Sequence, residues 1–376
     1  MSNQTLNLKD EYTYKELLTA YLDCRKRKST KMNSLSFERD FEKSLRIMLD
    51  KINNGTYKIL PYKCFISLKP KAREIWSANF KDRIVHHLLY NTVGEWYEKR
   101  FIEDTYSCIK GRGTLMASQR AAHFARSITN NWDTPAWYLQ IDIKNFFVSI
   151  DKNILWDCLK EDIGETSLTS RLFKQVIFND PTVNARLARR NLSHLIPRHK
   201  SLWYCDKSKG LPIGNFTSQF LSNVYLNSMD HFVKHNLKCK YYVRYVDDMV
   251  LMSTDKDYLL HCKDEIDKVL IETKSMCLHP NKIKVAPVHG GINFVGAIVK
   301  PFRVYSRRCT VSSALRNAKQ ISKYALDDSD FNAMQSYLGM LKHTDSFHLR
   351  EHLCNIANSN SAVRSNINYT KLIKEK

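Results

Sequence analysis

The chain of 376 residues contains no apolar run of about eighteen residues, the length a bilayer-spanning helix needs. Its opening, MSNQTLNLKDEYTYK, is polar and mixed in charge, so no signal peptide is expected. Glycine (11) and proline (9) are sparse, and no internal repeat, low-complexity tract or long linker interrupts the sequence. The ten cysteines stand singly, with no C-x-x-C among them. Without a secretory signal they read as buried or free thiols in a reducing cytoplasm, and structural zinc is not expected. Acidic residues are also short: 38 Asp and Glu against 59 Lys and Arg leave a net charge of +21. That excess points to a polyanionic partner, most simply nucleic acid, since the membrane alternative has no apolar segment behind it. The 43% hydrophobic and 11% aromatic content excludes wholesale disorder and suffices for a sizeable core. The length fits two or three domains, or one larger unit with subdomains.

A helical pattern opens the chain and is interrupted by a basic cluster from Cys24 to Lys31, read equally as a solvated loop or a phosphate contact. A further helix is expected over Ser36 to Asn53, then a turn at Asn54-Gly55. Tyr62 to Leu68 alternates like a strand, and Lys69-Pro70-Lys71-Ala72-Arg73 follows as a turn with three cations. Phe80 to Leu89 reads as an amphipathic helix. Its adjacent His86 and His87 do not share a helix face, so one is expected to pack and the other to be exposed. Tyr106 to Thr114 (YSCIKGRGT) is a Gly-flanked basic loop leading into a helix.

Three segments carry the chemistry. The apolar run before Asp142 (Trp137 to Ile141) suggests a buried strand with a carboxylate at its end. Such a charge is costly in a core, but at a strand end it either caps the next turn or faces a cation in a cleft. Tyr241 to Met252 reads as a β-hairpin turning at Asp247 and Asp248. A plain turn there favours Asn-Gly or Asp-Gly; two like charges repel unless a hard cation such as Mg²⁺ reverses the balance. Asp142 and Asp247 are therefore candidates for a metal pair of the kind that clamps an in-line phosphoryl transfer. Between them lies Gly210-Leu211-Pro212-Ile213-Gly214-Asn215-Phe216-Thr217-Ser218-Gln219, followed by a helix through about His235. Gly214 permits close backbone approach, and Ser218 occupies an expected N-cap. Phe220, Val224 and Phe232 are expected to face a core, with Asn223 and Asn227 facing outward.

Taken in order, these segments resemble motifs A, B and C of a reverse transcriptase palm: Asp142 with Phe147, Leu211-Pro212-Ile213-Gly214 through Ser218-Gln219, and Tyr245-Val246-Asp247-Asp248. The resemblance extends to most of the chain. Lys69 to Arg73 with Lys81-Asp82-Arg83 resembles the fingers motif that grips a triphosphate, and Tyr106 to Thr114 the next fingers motif. Leu278 to Lys282 resembles motif D, and Gly291 to Gly296 the primer-grip hairpin, with Phe294, Val295 and Gly296 at its tip. Gln335 to Gly339 resembles part of a helical thumb.

The resemblance implies an α+β right-hand polymerase: fingers with an N-terminal helical extension (1–130), a palm with an antiparallel sheet (131–300) and a helical thumb (301–376). It implies RNA-directed DNA synthesis, with Asp142, Asp247 and Asp248 catalytic. Two Mg²⁺ ions, with Mn²⁺ as a substitute, would lie on Asp142 and Asp247, with Asp248 close by and the Ile143 carbonyl contributing an oxygen. Arg73 with Lys69 or Lys71 would neutralise the triphosphate, Phe147 would exclude a 2′-hydroxyl, and Ile213, Gly214 and Gln219 would border the dNTP. Lys282 would either protonate pyrophosphate or contact the template.

Departures from the family pattern narrow the group. Ile213 stands where many relatives carry glutamine, and the Ile-Gly…Ser-Gln loop resembles diversity-generating retroelement enzymes. A basic insertion at about 177–205, with Arg186, Arg189, Arg190, Arg198 and Lys200, resembles reverse transcriptases of prophages and anti-phage defence loci. The expected role is cDNA synthesis from a dedicated non-coding RNA in defence. A mutagenic diversity-generating role is the alternative, and a non-catalytic RNA-binding scaffold the alternative of another class. The expected partners are template RNA, cDNA, dNTPs and an accessory protein or second reverse transcriptase, in a cytoplasmic chain compatible with a homo-oligomer. The stretch after Gly296 is expected to be taken up by the thumb, with no RNase H or endonuclease domain expected beside it.

Overall fold

The computed structural model describes residues 6, 8–26, 32–68, 71–188 and 190–375. Lys69, Arg189 and the end of the basic cluster, Arg27 to Lys31, lie outside the described residues. The chain runs through α1 (Tyr14–Arg25), α2 (Met32–Glu38), α3 (Phe41–Asn53), β1 (Lys63–Ser67), β2 (Arg73–Ser77) and α4 (Phe80–Arg100). Next come α5 (Thr114–Ile128), β3 (Trp137–Asp142), α6 (Phe146–Ser149), α7 (Lys152–Ile163), α8 (Leu168–Phe178) and β4 (Arg186–Ala188). Then follow α9 (Phe216–His231), β5 (Tyr241–Tyr245), β6 (Asp248–Ser253), α10 (Lys256–Lys274), β7 (Lys284–Pro287), β8 (Ile292–Phe294), β9 (Ala297–Val299) and β10 (Val304–Ser306). The last are α11 (Arg308–Lys323), α12 (Asp328–Leu341), α13 (Phe347–Ala357), β11 (Val363–Ser365) and β12 (Leu372–Lys374). The helix expected over Ser36 to Asn53 is two helices, because a turn at Arg39 and Asp40 separates α2 from α3.

These elements form two compact units. The first comprises Met1–Lys110, Asp142–Lys238 and Asp264–Lys282. Its sheet has the order β2-β1-β4, with β2 antiparallel and β4 parallel to β1. Tyr62, Cys64, Trp76, Ala78 and Leu202 form the core beneath that sheet. Elsewhere in the unit, the Phe220 ring of α9 contacts Tyr90 and Tyr97 of α4, at 5.4 and 5.5 Å between centroids. Aromatic pairs at this spacing add to the apolar burial and hold two helices in a defined register.

The second unit comprises Gly111–Ile141, Cys239–Lys263 and Ile283–Lys376. Its four-stranded sheet has the order β5-β6-β3-β7, with the β5–β6 and β3–β7 pairs antiparallel. A second sheet, β10-β9-β8, is an antiparallel meander. The C-terminal helices α11, α12 and α13 share a core of Ala314, Ala318, Ile321, Met334, Leu338, Leu341, Leu353 and Cys354, as helical spacing of small and large apolar residues allows. Gln335 to Gly339 lie in α12, as expected of a helical element. No helix among the described residues is long and apolar enough to cross a membrane.

The paired histidines of α4 do separate, with His86 packed as expected, but His87 is half-buried against an aromatic ring and not exposed. His86 is 1% exposed and neither ring nitrogen has a hydrogen-bond partner among the described residues, whereas half-buried His87 stacks on Phe216 at 5.0 Å. Burial disfavours the imidazolium and, helped by neighbouring His87 and Arg83, pushes the His86 pKa down to about 3. In the unfolded chain the same ring protonates near its ordinary value of about 6.5. The stability held by the neutral ring is therefore intact above that value and is lost as pH falls toward about 3. Urea denaturation of wild type and His86→Leu at pH 7.5 and pH 5.5 checks this. The wild type is expected to lose about 1.4 kcal/mol more than the variant between those values.

Candidate active site

In the first unit, Asp142 is the last residue of β3, with 19% of its side chain exposed. Ile143 bridges Leu278 in antiparallel fashion, the Asp142 carbonyl accepts the His279 N–H at 2.8 Å, and the Lys144 N–H reaches the Cys277 carbonyl at 3.0 Å. This pairing carries the chain into the short turn Pro280–Lys282, and it aims Lys282. The Lys282 Nζ lies 2.8 and 2.7 Å from the two carboxylate oxygens of Asp142. The expected motif-D lysine is thus brought to the expected motif-A aspartate.

After Asp142 the chain turns through Asn145 at φ 51°, a left-handed position that asparagine tolerates. The single turn of α6 follows, with Phe146 buried and Phe147 half-buried. The Phe147 carbonyl accepts the Leu211 N–H at 2.8 Å, so the aromatic and the 210–219 loop are joined through backbone. Gly210 and Gly214 sustain that approach. At Gly210 (φ 86°) a Cβ would lie 2.6 Å from Leu202 Cδ2; at Gly214 (φ 117°) it would lie 2.9 Å from Ile75 and 3.0 Å from the Trp76 carbonyl. The loop seals the open edge of β2, with the Trp76 N–H donating to the Ile213 carbonyl at 2.7 Å and the Ala78 N–H to Asn215 Oδ1 at 3.3 Å. Ile213 therefore contributes its backbone to the β2-β1-β4 sheet as well as a half-buried side chain. On that sheet Arg73 is exposed, as is Lys71 before it.

Two details of this loop differ from expectation. The N-cap of α9 is Asn215, not Ser218, which is buried in the first turn because the helix begins two residues earlier. Asn223 does not face outward but is fully buried: its amide donates to the Ser107 carbonyl at 2.6 Å and its oxygen accepts the Ser107 hydroxyl at 3.1 Å. Together with Thr105 donating to Asp230 and Lys234 paired to Asp104, this fixes the 104–108 stretch to α9. The Cys108 thiol, its pKa pushed up to about 11 by burial, donates to Oε1 of exposed Gln219 at 2.6 Å. Asp82 is nearly fully buried and accepts the Tyr57 hydroxyl at 2.6 Å and the Leu60 N–H at 3.0 Å, so within the Lys81-Asp82-Arg83 segment it organises the chain before β1.

In the second unit, β5 and β6 pair as the expected hairpin, with Tyr245 opposite Asp248. The two-residue turn is Val246-Asp247, so one acid lies in the turn and the other begins β6. Val246 has φ 58°, a region that a β-branched residue rarely enters and that costs of order 1–3 kcal/mol. Fully buried Arg244 donates from Nη1 to the Val246 carbonyl at 2.9 Å. A charged donor fixed inside the core offsets that strain and holds the tip. Gln140, two residues before the end of β3, donates from Nε2 to Asp248 Oδ1 at 2.9 Å and to the Asn293 carbonyl at 2.8 Å. Asn293 belongs to the β8–β9 hairpin, whose tip Val295-Gly296 has positive φ at both residues. Phe294 is fully buried beside that tip. The sequence pattern singles out neither Arg244 nor Gln140. A signal for Gln140 exists, since strand alternation sets residues 140 and 142 on one face; nothing marks Arg244 beyond a cation inside a strand.

Asp142 in one unit and Asp247 and Asp248 in the other each present carboxylate oxygen, a donor type that suits hard cations such as Mg²⁺ or Mn²⁺ better than zinc. No cluster of three His, Cys, Asp or Glu side chains able to hold a metal occurs among the described residues. Magnesium bound through one or two carboxylates plus substrate phosphates needs none.

Replacing Arg244 by methionine keeps much of the buried volume but strips the Val246 carbonyl of its donor. Arg244→Met is expected to lower the unfolding free energy by about 2 kcal/mol, measured by urea denaturation.

No curated protein matches this sequence. Among solved structures, the chain is similar to apo telomerase from Candida tropicalis, at 12% identity and a TM-score of 0.49 over 81% of this chain and 57% of that one. It is also similar to a form of that telomerase truncated from the C-terminal domain, at 14% identity and a TM-score of 0.46 over 66% of this chain and 55% of that one. Telomerase from Candida albicans in complex with a TWJ fragment of telomeric RNA gives 12% identity and a TM-score of 0.42, over 81% of this chain and 61% of that one. The chain thus spans between 55% and 61% of the length of these telomerase chains. A family model described as "Reverse transcriptase (RNA-dependent DNA polymerase)" matches residues 67–299, more than half of the chain. With antiparallel sheets, a helical C-terminal region and this match, the chain is an α+β protein of the right-hand polymerase fold and belongs to the reverse transcriptase family.

Proposed function

We propose that the chain is an RNA-directed DNA polymerase whose catalytic carboxylates are Asp142, Asp247 and Asp248. The observation that carries this reading is the Gln140 amide: it bonds Asp248, and Asp142 follows two residues later on the same face of β3. A scaffold without activity has no use for acids at the end of one strand and the tip of a hairpin beside an anionic ligand. Two Mg²⁺ ions, with Mn²⁺ as a substitute, held on Asp142 and Asp247 beside Asp248 and the Ile143 carbonyl, would supply the positive charge that phosphoryl transfer needs. Around them the protein's own groups orient and select. Arg73 and Lys71, with Lys69, bind the triphosphate of the dNTP; Phe147 underlies its sugar; and Ile213, Gly214 and Gln219 border it. Phe294, Val295 and Gly296 support the primer, whose 3′-hydroxyl is the nucleophile, so no catalytic serine or cysteine is needed. Lys282, an ion-pair partner of Asp142, would either protonate the leaving pyrophosphate or contact the template.

Fingers over 1–130, palm over 131–300 and thumb over 301–376 are the proposed divisions. The template we assign is a dedicated non-coding RNA, in cytoplasmic anti-phage defence, with an accessory protein or a second reverse transcriptase as partner and a homo-oligomer compatible with the reading. The basic insertion supports that setting; the Ile213-Gly214 loop favours the mutagenic diversity-generating role as a second reading.

Primer extension on an RNA template with Mg²⁺ tests the activity. Asp142→Asn and Asp247→Asn are each expected to reduce product by at least about 10³-fold. Equal product from wild type and both variants, or none from any, would sink the reading. Phe147→Ala is expected to erode discrimination against ribonucleotides by about 10²-fold, read as the ratio of kcat/KM for dNTP and rNTP.

A further inference from the structure

A lysine is rarely buried, and when it is, its ammonium ordinarily ends on a carboxylate or on backbone carbonyls. Among the described residues two lysines are buried, and they differ in this respect. Lys152 follows the rule, since its Nζ donates to the Lys207 carbonyl at 3.0 Å and the Asn179 carbonyl at 3.4 Å. Lys274, the last residue of α10, does not. It is 4% exposed, and its Nζ lies 3.4 Å from the Sγ of Cys158 on α7 and 5.3 Å from the centre of the Tyr225 ring on α9. It makes no ion pair and no other side-chain hydrogen bond with any described residue. All of these groups belong to the first unit. Tyr225 fixes the root of the side chain: its hydroxyl donates to the Lys274 carbonyl at 2.6 Å and accepts the Asp151 N–H, just ahead of α7, at 3.4 Å.

Folding alone gives no reason for this pair. A thiol sulfur is a weak acceptor and compensates a buried cation poorly, whereas a methionine would occupy similar space with no charge to desolvate. The arrangement suits a reaction instead. Cys158 is half-buried, so a small oxidant can reach its sulfur. The nitrogen stands within the separation of about 3–3.5 Å from which bonds form. A thiol oxidised by peroxide becomes a sulfenic acid, whose sulfur is then attacked by a neighbouring thiol or nitrogen. Here the neighbour is an amine held in place by an aromatic ring and a backbone hydrogen bond.

We propose that Cys158 and Lys274 are an oxidative modification site, joined by a covalent sulfur–nitrogen link when the protein meets hydrogen peroxide. In the first step one peroxide oxygen passes to sulfur, the O–O bond breaks and the other oxygen leaves as water, so sulfur is oxidised and peroxide reduced. The Lys274 amine then attacks that sulfur: an S–N bond forms, the S–O bond breaks, and the hydroxyl leaves as water with one proton from nitrogen. If the lysine starts as an ammonium, its further proton goes to solvent. In sum, one thiol, one amine and one peroxide give one sulfenamide and two waters. Two equivalents of a thiol reductant restore the thiol and the amine and are themselves joined as a disulfide. The link ties α7 to the end of α10, where the stretch begins that runs on to Lys282 and its ion pair with Asp142. It does not depend on the polymerase reading.

The test treats the full chain with hydrogen peroxide, alkylates the remaining thiols, and follows tryptic digestion with mass spectrometry. The expected product is a pair of peptides joined through Cys158 and Lys274, lighter than their sum by two hydrogens, with Cys277 alkylated and no cleavage after Lys274. Dithiothreitol before alkylation is expected to abolish it. Oxidation in urea is expected to prevent it, because the unfolded chain loses the 3.4 Å approach. Cys158→Ser and Lys274→Met are each expected to give none. The linked residues stand 116 apart in sequence, so oxidised wild type is expected to melt about 5 °C above Cys158→Ser treated alike. Circular dichroism establishes that each variant folds; if Lys274→Met does not, Lys274→Arg replaces it. In folded wild type, Cys158 recovered as a sulfinic acid or joined to Cys277, with cleavage after Lys274 intact, would overturn the proposal. So would a joined pair that forms equally in urea. Primer extension by the untreated protein reads the polymerase activity separately, so either conclusion can fail without the other.

Discussion

A valine held in the left-handed region is the constraint on which the candidate site turns. Left to itself, Val246 would relax toward extended backbone and splay the tip that carries Asp247 and Asp248. It stays because Arg244, buried beneath the hairpin, donates to its carbonyl, and because Tyr245 and Asp248 are locked as partners on either side. The amide of Gln140 then takes one oxygen of Asp248 and ties it to β3. Strain of this kind persists only where its surroundings over-determine it, and here they do so with one cation, one amide and a strand register.

The same economy governs the acids of a chain that has few of them. Asp82 and Glu74 are buried and consumed in structure, each accepting from hydroxyl and backbone donors that join distant segments. Burial raises the Asp82 carboxyl to about 6, opposed only in part by its two hydrogen bonds. Asp142, Asp247 and Asp248 are treated differently. They end strands or make turns and remain partly accessible; Asp142 meets the Lys282 ammonium and Asp248 the Gln140 amide. Partial exposure leaves these carboxylates in contact with solvent, whereas Asp82 is sealed from it.

What was legible in the sequence is the set of features with a local cause. The β1 alternation, the hairpin around the paired acids, the Gly-flanked loop before α5 and the helical C-terminal region all follow from period and turn chemistry. The departures have separate origins. Asn223, expected on an outward face of α9, is buried because the 104–108 stretch covers it there and its Ser107 needs partners, whereas Ser218, expected as the N-cap, lies in the first turn because Asn215 caps the helix. No local pattern announces that a distant loop will supply the hydrogen bonds for a buried asparagine. The division of α2 from α3 leaves no mark in the sequence for a smaller reason: the break at Arg39 and Asp40 has neither glycine nor proline.

The order and spacing of three motifs, the charge excess and the absence of membrane-length apolar runs were matters of sequence alone, because each depends only on which residues occur and where. The acids at the ends of strands were equally legible there, since the apolar run of β3 stops at Asp142 and that of β6 starts after Asp248. Three things belong to the tertiary structure: the closeness of Lys282 to Asp142, the guanidinium under the hairpin tip, and the inserted strand that sets Arg186 beside Lys63. Each joins residues far apart in the chain or turns a side chain inward. Such pairings are set by register and by the need to satisfy buried polar groups, neither of which a linear pattern encodes.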